Sequence, residues 1–358
     1  MSSRPFSTRL LRWYQKNGRD LPWRKTTDPY TIWVSEILLQ QTQVVTALPY
    51  YHRFLERFPT VHALATTPLD DVLKTWQGLG YYARARHLSL AAQKVVREYN
   101  GNIPRSLDAL MSLAGIGRST AGAILNIAFN QCHPILDGNV KRILSRYFLV
   151  RGDLKEKNNL AVLWAYAEAI LPKKKGATPA NANLFTQAIM DLGATICLPK
   201  SPNCVVCPVS LSCLAYQEGV QNKLPEKSVS KKVPHYDFIA AIIQKGKQVL
   251  IKKRPEKGLL GGLWEFPGGK IINKDDLSSI HELTEREVGQ QASLIPLDVQ
   301  IQHAFTHFKM TLHLFSGVVQ KRIACNPALK WVSISQLSDY AFSAAHQVIV
   351  LKLQEGTE

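Results

Sequence analysis

The sequence has 358 residues, more than one ordinary domain needs, and its 44 Lys and Arg residues against 27 Asp and Glu residues give a net charge of +17. This surplus favours a polyanionic partner, most often nucleic acid, because contacts with phosphates release counterions. The hydrophobic share of 46% excludes a disordered chain. No apolar run reaches the roughly 18 residues of a membrane span, and the amino terminus lacks the apolar segment of a signal peptide.

The first region, residues 1–216, has the periodicity of helices. Prolines punctuate it, and it contains neither an internal repeat nor the alternation typical of a parallel sheet. Apolar residues recur at three- and four-residue spacing in Tyr30–Phe58, Leu69–Trp76, Arg84–Tyr99 and Leu107–Leu113. We therefore predict an all-α region.

Glu36 is the only acid in the apolar helical stretch Ile32–Leu39. Burial there would raise the pKa of Glu36 and keep it protonated near neutral pH, as a general acid requires. A buried glutamate that is satisfied by a structural partner is an equally good interpretation of this pattern.

A glycine-rich sequence, Leu113–Ala121, joins two helical patterns. Gly115 and Gly117 permit a tight turn, and the first amides of the following helix could hold a phosphate, although an ordinary turn between helices has the same signature. Further along, Asp137 precedes Gly138 and is a candidate N-cap. A helix N-terminus would keep Asp137 ionised, and one protonated and one ionised carboxyl are what breaking a glycosidic bond requires.

Four of the six cysteines lie in one short stretch with the spacing C-x6-C-x2-C-x5-C: Cys197, Cys204, Cys207 and Cys213. A disulfide framework would spread the cysteines more evenly, so these thiols indicate an intracellular metal site. A single short loop favours a 4Fe–4S cluster, whereas zinc, the alternative, more often uses two CxxC pairs far apart. The same loop contains Lys200, which could contact a phosphate.

The composition changes after residue 216. Residues 217–234 are polar and rich in lysine, and we interpret them as a linker. The remaining residues, 235–358, combine strand and helix patterns and predict an α+β domain. Its predicted strands are Phe238–Ile243, Gln248–Ile251, Lys309–Val319 and Leu329–Ile334, and its predicted helix is Leu277–Val288.

Together, these motifs resemble the endonuclease III superfamily of DNA glycosylases and, within it, the MutY-type adenine DNA glycosylases. The resemblance covers nearly the whole chain and implies an all-α helix-hairpin-helix core with an iron–sulfur loop. It is carried by the glycine hairpin, the four cysteines, Leu21–Arg24, Val34–Thr42, Gly78–Arg84 and Leu136–Val140.

The α+β domain resembles a Nudix domain through the sequence Gly261–Lys270. A working Nudix box holds Mg²⁺ with a group of glutamates, and only Glu287 falls on such a position here. The resemblance therefore implies a Nudix-like domain that recognises 8-oxoguanine rather than one that hydrolyses nucleotides.

The resemblance also implies residue roles in removing a flipped adenine that is paired with 8-oxoguanine or guanine in double-stranded DNA. Glu36 would protonate adenine N7, and Asp137 would stabilise the oxocarbenium ion or capture it covalently. The adenine pocket would consist of Arg24, Gln41, Leu79 and Gln187. Contacts with DNA would come from Gln41, Tyr81, Gly115, Gly117, Ser119 and Lys200, and 8-oxoguanine would be recognised by Phe305, Thr306 and His307.

Ser119 bears on the reaction class, because bifunctional relatives have a lysine there that forms a Schiff base and then nicks the strand. The resemblance thus implies a monofunctional enzyme with a 4Fe–4S cluster, monomeric and cytoplasmic, associated with a bacterial nucleoid. Three alternatives are a glycosylase/lyase for oxidised pyrimidines, a non-catalytic iron–sulfur DNA-binding protein and a nucleotide pyrophosphatase. Ser119 counts against the glycosylase/lyase. The retained Glu36 and Asp137 count against the non-catalytic DNA-binding protein, and the degraded Nudix box counts against the pyrophosphatase.

Overall fold

The computed structural model describes residues 5–172, 181–226, 233–272 and 276–356. The chain divides into two compact units, one made of Met1–Ala65 and Leu90–Ser230 and the other of Thr66–Ser89 and Lys231–Glu358. We call them the helical unit and the mixed unit. Segment 66–89 groups with the carboxy-terminal half of the chain, which local sequence patterns do not indicate.

The predicted helices are present in the first 217 residues. They are α1 (Phe6–Asn17), α2 (Pro29–Leu39), α3 (Val44–Arg57), α4 (Val61–Thr66), α5 (Leu69–Trp76), α6 (Ala83–Tyr99), α7 (Leu107–Met111), α8 (Arg118–Phe129), α9 (Gly138–Tyr147), α10 (Lys157–Ala169), α11 (Ala182–Asp191) and α12 (Leu214–Gln217). The segment Tyr30–Phe58 forms two helices rather than one. It turns at Gln41, whose φ of +56° is incompatible with a right-handed helix.

The core of the helical unit lies between α1, α8, α9, α10 and α11. Each of these helices contributes an apolar stripe, and its members are nearly inaccessible to solvent: Leu10, Ala123, Leu144, Leu163 and Phe185. Burying one large aliphatic side chain contributes roughly 1.5–3 kcal/mol. None of the described helices has both the length and the hydrophobicity needed to cross a bilayer.

The helical unit extends into the predicted linker. Leu224 is buried, and its carbonyl accepts a hydrogen bond of 2.9 Å from Nε of Arg146. Glu226 forms a backbone bridge with Asp153. Residues 217–226 therefore pack as part of this unit. Of the other linker positions, 227–232 lie outside the described residues, and the carbonyl of Pro234 accepts the N–H of Lys309 at 2.8 Å.

The described strands of the mixed unit are β1 (His235–Lys245), β2 (Gln248–Lys253), β3 (Trp264–Glu265), β4 (Gly268–Ile271), β5 (Ala292–Ala304), β6 (Lys309–Val319) and β7 (Leu329–Ser333), and its described helices are α13 (Leu277–Val288) and α14 (Ala344–Glu355). These strands form one sheet with the order β3-β2-β1-β6-β5, in which β4 pairs with β1 and β7 with β2. Among the strands described, β1 and β6 are the pair that runs in parallel. The α+β prediction and the five predicted elements are confirmed.

Alternation along β1 explains why both faces of this sheet are covered. Ala240 and Ile242 belong to the core that includes residues of α14, whereas Ile239, Ala241 and Ile243 belong to the core that includes residues of α13. Successive side chains of a strand point to opposite faces, so one apolar strand serves two layers.

Candidate active site

A cleft of about 1010 Å³ lies in the helical unit among α2, α8, α9 and α11. Small-molecule sites usually have volumes of roughly 300–1,000 Å³, so a nucleotide fits a space of this size. Six residues that the sequence nominated line the same cleft: Arg24, Glu36, Gln41, Ser119, Asp137 and Gln187.

Helix α2 holds Glu36 at the wall of the cleft. The helix begins after Asp28, whose side chain accepts a hydrogen bond of 2.9 Å from the N–H of Thr31. Trp33 and Val34 are fully buried, so the helix is fixed by packing on most of its circumference. The Glu36 carboxyl therefore enters the cleft from a rigid element.

Burial raises the pKa of Glu36 to about 8, and the charge of Asp137 raises it as well, while Arg24 opposes them. None of the ion pairs among the described residues includes Glu36. An uncompensated carboxyl in a desolvated position retains its proton at neutral pH. Between the two interpretations of the sequence pattern, this environment supports the proton donor.

The segment before Asp137 is fastened to α8. Asn126 is buried, and its side chain both donates to the carbonyl of His133 and accepts from its N–H, at 2.8 Å each. The hydroxyl of Ser119 accepts the N–H of Leu136 at 3.0 Å. Two side chains of one helix thus fix the backbone that presents Asp137.

Asp137 is the N-cap of α9, as predicted, and its Oδ1 accepts the N–H of Val140 at 2.7 Å. Burial nevertheless raises the pKa of Asp137, although the N–H of Val140 and the charge of Arg142 act to lower it. Desolvation thus acts against the helix end, and the ionised state expected for Asp137 stays a prediction. The N–H of Val140 and the charge of Arg142 favour the anion of Asp137, whereas Glu36 is favoured as an anion by Arg24.

Arg24 is held by an acid that the sequence analysis did not identify. Asp191 is fully buried and lies 2.6 Å from Nη1 of Arg24 and 2.7 Å from Nε of Arg19. Burial alone would raise the pKa of Asp191, but the hydrogen bonds from Arg24 and Arg19 hold it below the usual value. The available signal was that Asp191 is the lone acid of an apolar helix.

Gln187 is only 5% exposed and therefore not a surface residue. Its Oε1 accepts a hydrogen bond of 2.8 Å from the hydroxyl of Tyr14, and its Nε2 donates to Asn183. The amide has a fixed orientation at the wall of the cleft, which suits recognition of a polar base edge.

Three of the nominated residues either have a left-handed backbone conformation or belong to the mixed unit rather than to the helical unit. Gln41 is exposed at the cleft, and its φ is +56°. Tyr81 has a φ of +49° and belongs to the mixed unit, as does the buried Leu79, which is not among the residues that line the cleft. Left-handed backbone at two bulky residues is costly and occurs most often at binding sites.

The glycine hairpin forms a turn between α7 and α8. Gly115 has a φ of +78°, as a tight turn requires, whereas Gly117 has ordinary φ and is the N-cap of α8. The helix begins at Arg118, and no side chain caps its first amides. Uncapped amides at a helix N-terminus attract phosphate.

The four clustered cysteines line one cavity of the helical unit. The buried Arg146 donates from Nη1 to Sγ of Cys197 at 3.2 Å and to the carbonyl of Leu198 at 2.7 Å. Burial raises the pKa of Cys207 to about 12. Among the described residues, no three His, Cys, Asp or Glu side chains are close enough to ligate a single ion. Lys200, in the same loop, is exposed.

The nominated recognition residues form the hairpin tip between β5 and β6. The N–H of Phe305 donates to the carbonyl of Phe308 at 2.8 Å, and the two rings stack with centroids 4.7 Å apart. Thr306 and His307 are exposed, and Oγ1 of Thr306 lies 2.8 Å from the hydroxyl of Tyr81. The stacked rings of Phe305 and Phe308 thus support two exposed hydrogen-bonding side chains, Thr306 and His307.

The residues of the Nudix-like box do not fit the Mg²⁺ that this fold implies. Glu287 forms an ion pair with Lys252, and Glu265 accepts a hydrogen bond of 2.6 Å from Arg254. Carboxylates that already neutralise protein cations offer less charge to a divalent metal. Glu265 and Glu287 are therefore engaged by arginine and lysine rather than available as metal ligands.

Residues 34–166 match the model of the HhH-GPD superfamily base excision DNA repair protein, and residues 238–352 match the NUDIX domain. The chain is 40% identical over 304 residues to the adenine DNA glycosylase of Buchnera aphidicola subsp. Acyrthosiphon pisum, covering 85% of this chain and 83% of that protein. It is 32% identical to the adenine DNA glycosylase of Rattus norvegicus, covering 98% and 78%. A thermostable thymine-DNA glycosylase structure has a TM-score of 0.53 at 30% identity, over 60% of this chain and 95% of that one.

Proposed function

Because the chain belongs to the adenine DNA glycosylase family of the HhH-GPD superfamily, we propose that it excises adenine paired with 8-oxoguanine or guanine in double-stranded DNA during base excision repair. The observation that best supports the chemistry is the pair of carboxyls, Glu36 and Asp137, which line one cleft without an ion pair among the described residues. The size of the cleft suits a base that has left the helix stack.

Glu36 donates its proton to N7 of the flipped adenine. The C1′–N9 bond then breaks, and its electron pair stays with the base, which leaves as neutral adenine. A carboxyl with a pKa of about 8 is protonated at neutral pH and is still acidic enough to release the proton in the transition state.

Asp137 opposes the positive charge that develops on the sugar. Its anion stabilises the oxocarbenium ion, or attaches to C1′ until water displaces it, and both routes use the same carboxylate. Water finally adds to C1′, and its proton returns to Glu36. The product is an abasic site.

We propose that the enzyme leaves the strand uncut. Ser119 supplies no amine for a Schiff base, and its hydroxyl already accepts the N–H of Leu136. Ser119 thus supports Asp137 through the backbone. The positive charge of the chain and the uncapped amides of α8 suit contact with phosphates.

We propose that Cys197, Cys204, Cys207 and Cys213 hold a 4Fe–4S cluster. All four line one cavity, and four cysteine thiolates are the usual ligand set of such a cluster. When bound, such a cluster cross-links the loop. The cross-linked cysteine loop would then hold Lys200 beside the DNA backbone. This structural role does not depend on whether the cluster exchanges electrons.

We propose that the mixed unit reads the base opposite the adenine. 8-Oxoguanine differs from guanine by an oxygen at C8 and a hydrogen on N7, so discrimination needs contacts at that edge. Thr306 and His307 supply exposed hydrogen-bonding groups, and Phe305 supplies an apolar surface. The enzyme would act as a monomer on the bacterial chromosome in the cytoplasm.

Incubation with 8-oxoguanine:adenine, guanine:adenine and guanine:thymine duplexes tests this function. We expect free adenine from the first two duplexes, and strand breaks only after alkali is added. Release of thymine without adenine would instead assign the specificity of the thymine-DNA glycosylase. A covalent complex trapped by borohydride would contradict the monofunctional assignment.

A further inference from the structure

In the mixed unit, two contacts bracket the loop of residues 77–82, which we call the Tyr81 loop. Before the loop, Asp70 in the first turn of α5 lies 2.6 Å from Nζ of Lys253, at the end of β2. After it, Arg86 in the first turn of α6 donates from Nη1 to the carbonyl of Gly261 at 2.7 Å and from Nη2 to that of Gly258 at 3.4 Å. Both flanking helices are therefore fixed to the chain segment that leaves β2.

The Tyr81 loop contains several residues with positive φ, and contacts from outside the loop must hold them in this conformation. Gly78, Gly80 and Tyr81 have φ values of +94°, +76° and +49°. The carbonyl of Gly80 accepts hydrogen bonds from Nε1 of Trp76 at 3.1 Å and from Nη2 of Arg84 at 3.2 Å. Strained backbone of this kind persists only where its surroundings determine it.

The turn of residues 258–262 is shaped to receive α5. Gly262 has a φ of +78°, and a Cβ at this position would lie 3.0 Å from the side chain of Leu73. A larger residue would be strained at this φ and would make the Leu73 side chain shift by a few tenths of an ångström. The close approach brings the carbonyl of Gly261 within reach of Arg86.

We infer that Arg86, supported by the ion pair of Asp70 and Lys253, is a positioning residue that sets the preference for 8-oxoguanine opposite the adenine. The inference rests on the function proposed above. Arg86 does not touch the recognition side chains, but it fixes the start of α6, and thereby the Tyr81 loop, on the unit that also contains Thr306. The hydroxyls of Tyr81 and Thr306, 2.8 Å apart, depend on this arrangement.

The effect should appear in recognition and not in bond breaking. Both proposed catalytic carboxyls belong to the helical unit, whereas both partners of each bracketing contact belong to the mixed unit. Hydrogen bonds from a charged donor are stronger than those from a neutral one, so the Arg86 contacts should matter more than the partly exposed ion pair of Asp70 and Lys253.

The test measures single-turnover adenine release from 8-oxoguanine:adenine and guanine:adenine duplexes by the full chain with Arg86→Gln. We expect the ratio of the two rates to fall about tenfold, as the loss of a charged hydrogen bond predicts, with the guanine:adenine rate preserved. Arg97→Gln is the matched control, because Arg97 is exposed on the same helix and its loss removes the same charge. Arg86→Lys should recover part of the ratio.

A second set of variants separates positioning from folding. Asp70→Lys and Lys253→Asp each place like charges together, and each should lower the ratio about threefold, whereas the double variant should recover it. An unchanged ratio in Arg86→Gln, or equal losses on both duplexes, would overturn the inference while leaving the proposed function intact. If the unaltered chain released no adenine, both would be overturned.

Discussion

Half-buried glutamates differ between the two units in whether they form ion pairs. In the helical unit, Glu36 belongs to none of the ion pairs among the described residues, and in the mixed unit Glu265 and Glu287 pair with Arg254 and Lys252. Burial raises the pKa of Glu265 as well. A raised pKa alone therefore does not mark a catalytic group, and the lack of an ion pair of Glu36 among the described residues is the more informative difference.

The cavities of the two units also differ, in their volume. The cleft of the helical unit has a volume of about 1010 Å³, and the cavity beside Phe266 and Phe308 in the mixed unit has about 50 Å³. The second space is too small for a purine. The proposed chemistry on an extruded base therefore fits the cleft of the helical unit and not this cavity.

The largest effect should follow Glu36→Gln. Glutamine cannot donate a full proton, so adenine release should fall by about 10²–10⁴-fold while binding of the mispair persists. Single-turnover release and a gel-shift assay measure the two quantities. Glu56→Gln, on the exposed face of α3, is the matched control. Wild-type release by Glu36→Gln would remove the distinction drawn between the units.

Loss of the cluster should destabilise the helical unit. Cys207→Ser is expected to lose iron and to lower the unfolding midpoint by roughly 5–10 °C, equivalent to about 2–3 kcal/mol. Iron analysis and calorimetry test this expectation, and the exposed Cys325 of the mixed unit supplies the control, Cys325→Ser. Purified wild type should contain about four irons, and bound zinc without iron after anaerobic preparation would contradict the proposal.

Changes at the hairpin tip of Phe305, Thr306 and His307 should lower the preference for 8-oxoguanine over guanine without slowing bond breaking. Thr306→Ala combined with His307→Ala should reduce the preference for 8-oxoguanine over guanine by about one to two decades, since each lost base contact is worth roughly 1–3 kcal/mol. The ratio of single-turnover rates is the measurement. Thr306→Ser keeps the hydroxyl and should keep the preference. A ratio that survives the double change would move recognition out of the mixed unit.

The smallest effect concerns stability. Burial raises the pKa of Glu36 to about 8 from its ordinary value of 4.5, so the folded state binds more protons than the unfolded state between these values. The free energy of unfolding should therefore fall as the pH rises through this range. Glu36→Gln removes this loss and should be more stable by about 1–3 kcal/mol at pH 7, although it is inactive. A urea titration at pH 5 and pH 8 should show the gain only at the higher pH.

Local patterns were sufficient where one short segment carries the signal. The apolar periodicity of Leu69–Trp76 and Leu277–Val288 predicted both helices with the observed bounds. A lone acid in an apolar helix drew attention to Glu36 as a carboxyl that packing would desolvate, and the position before Gly138 identified Asp137 as a cap. These features depend on neighbours within one or two helical turns.

Properties that depend on distant partners could not be predicted. β5 escaped notice because Pro296 and Asp298 interrupt its alternation, and its pairing with β6 is irregular there. Asp191 is the lone acid of α11, but its partners Arg19 and Arg24 lie more than 160 residues earlier in the sequence, so its ion pairs could not be predicted. The raised pKa of Asp137 reflects desolvation by the whole cleft rather than its cap.

The division of labour is tested most directly by measuring single-turnover adenine release from both duplexes with Glu36→Gln, with the Thr306 and His307 double change, and with all three changes together. Glu36→Gln should slow both duplexes by the same factor and leave their ratio unchanged. The hairpin change should lower the ratio and preserve the guanine:adenine rate, and the combined effects should add on a free-energy scale. A hairpin change that slowed both duplexes equally, or a Glu36→Gln change that altered the ratio, would contradict the account.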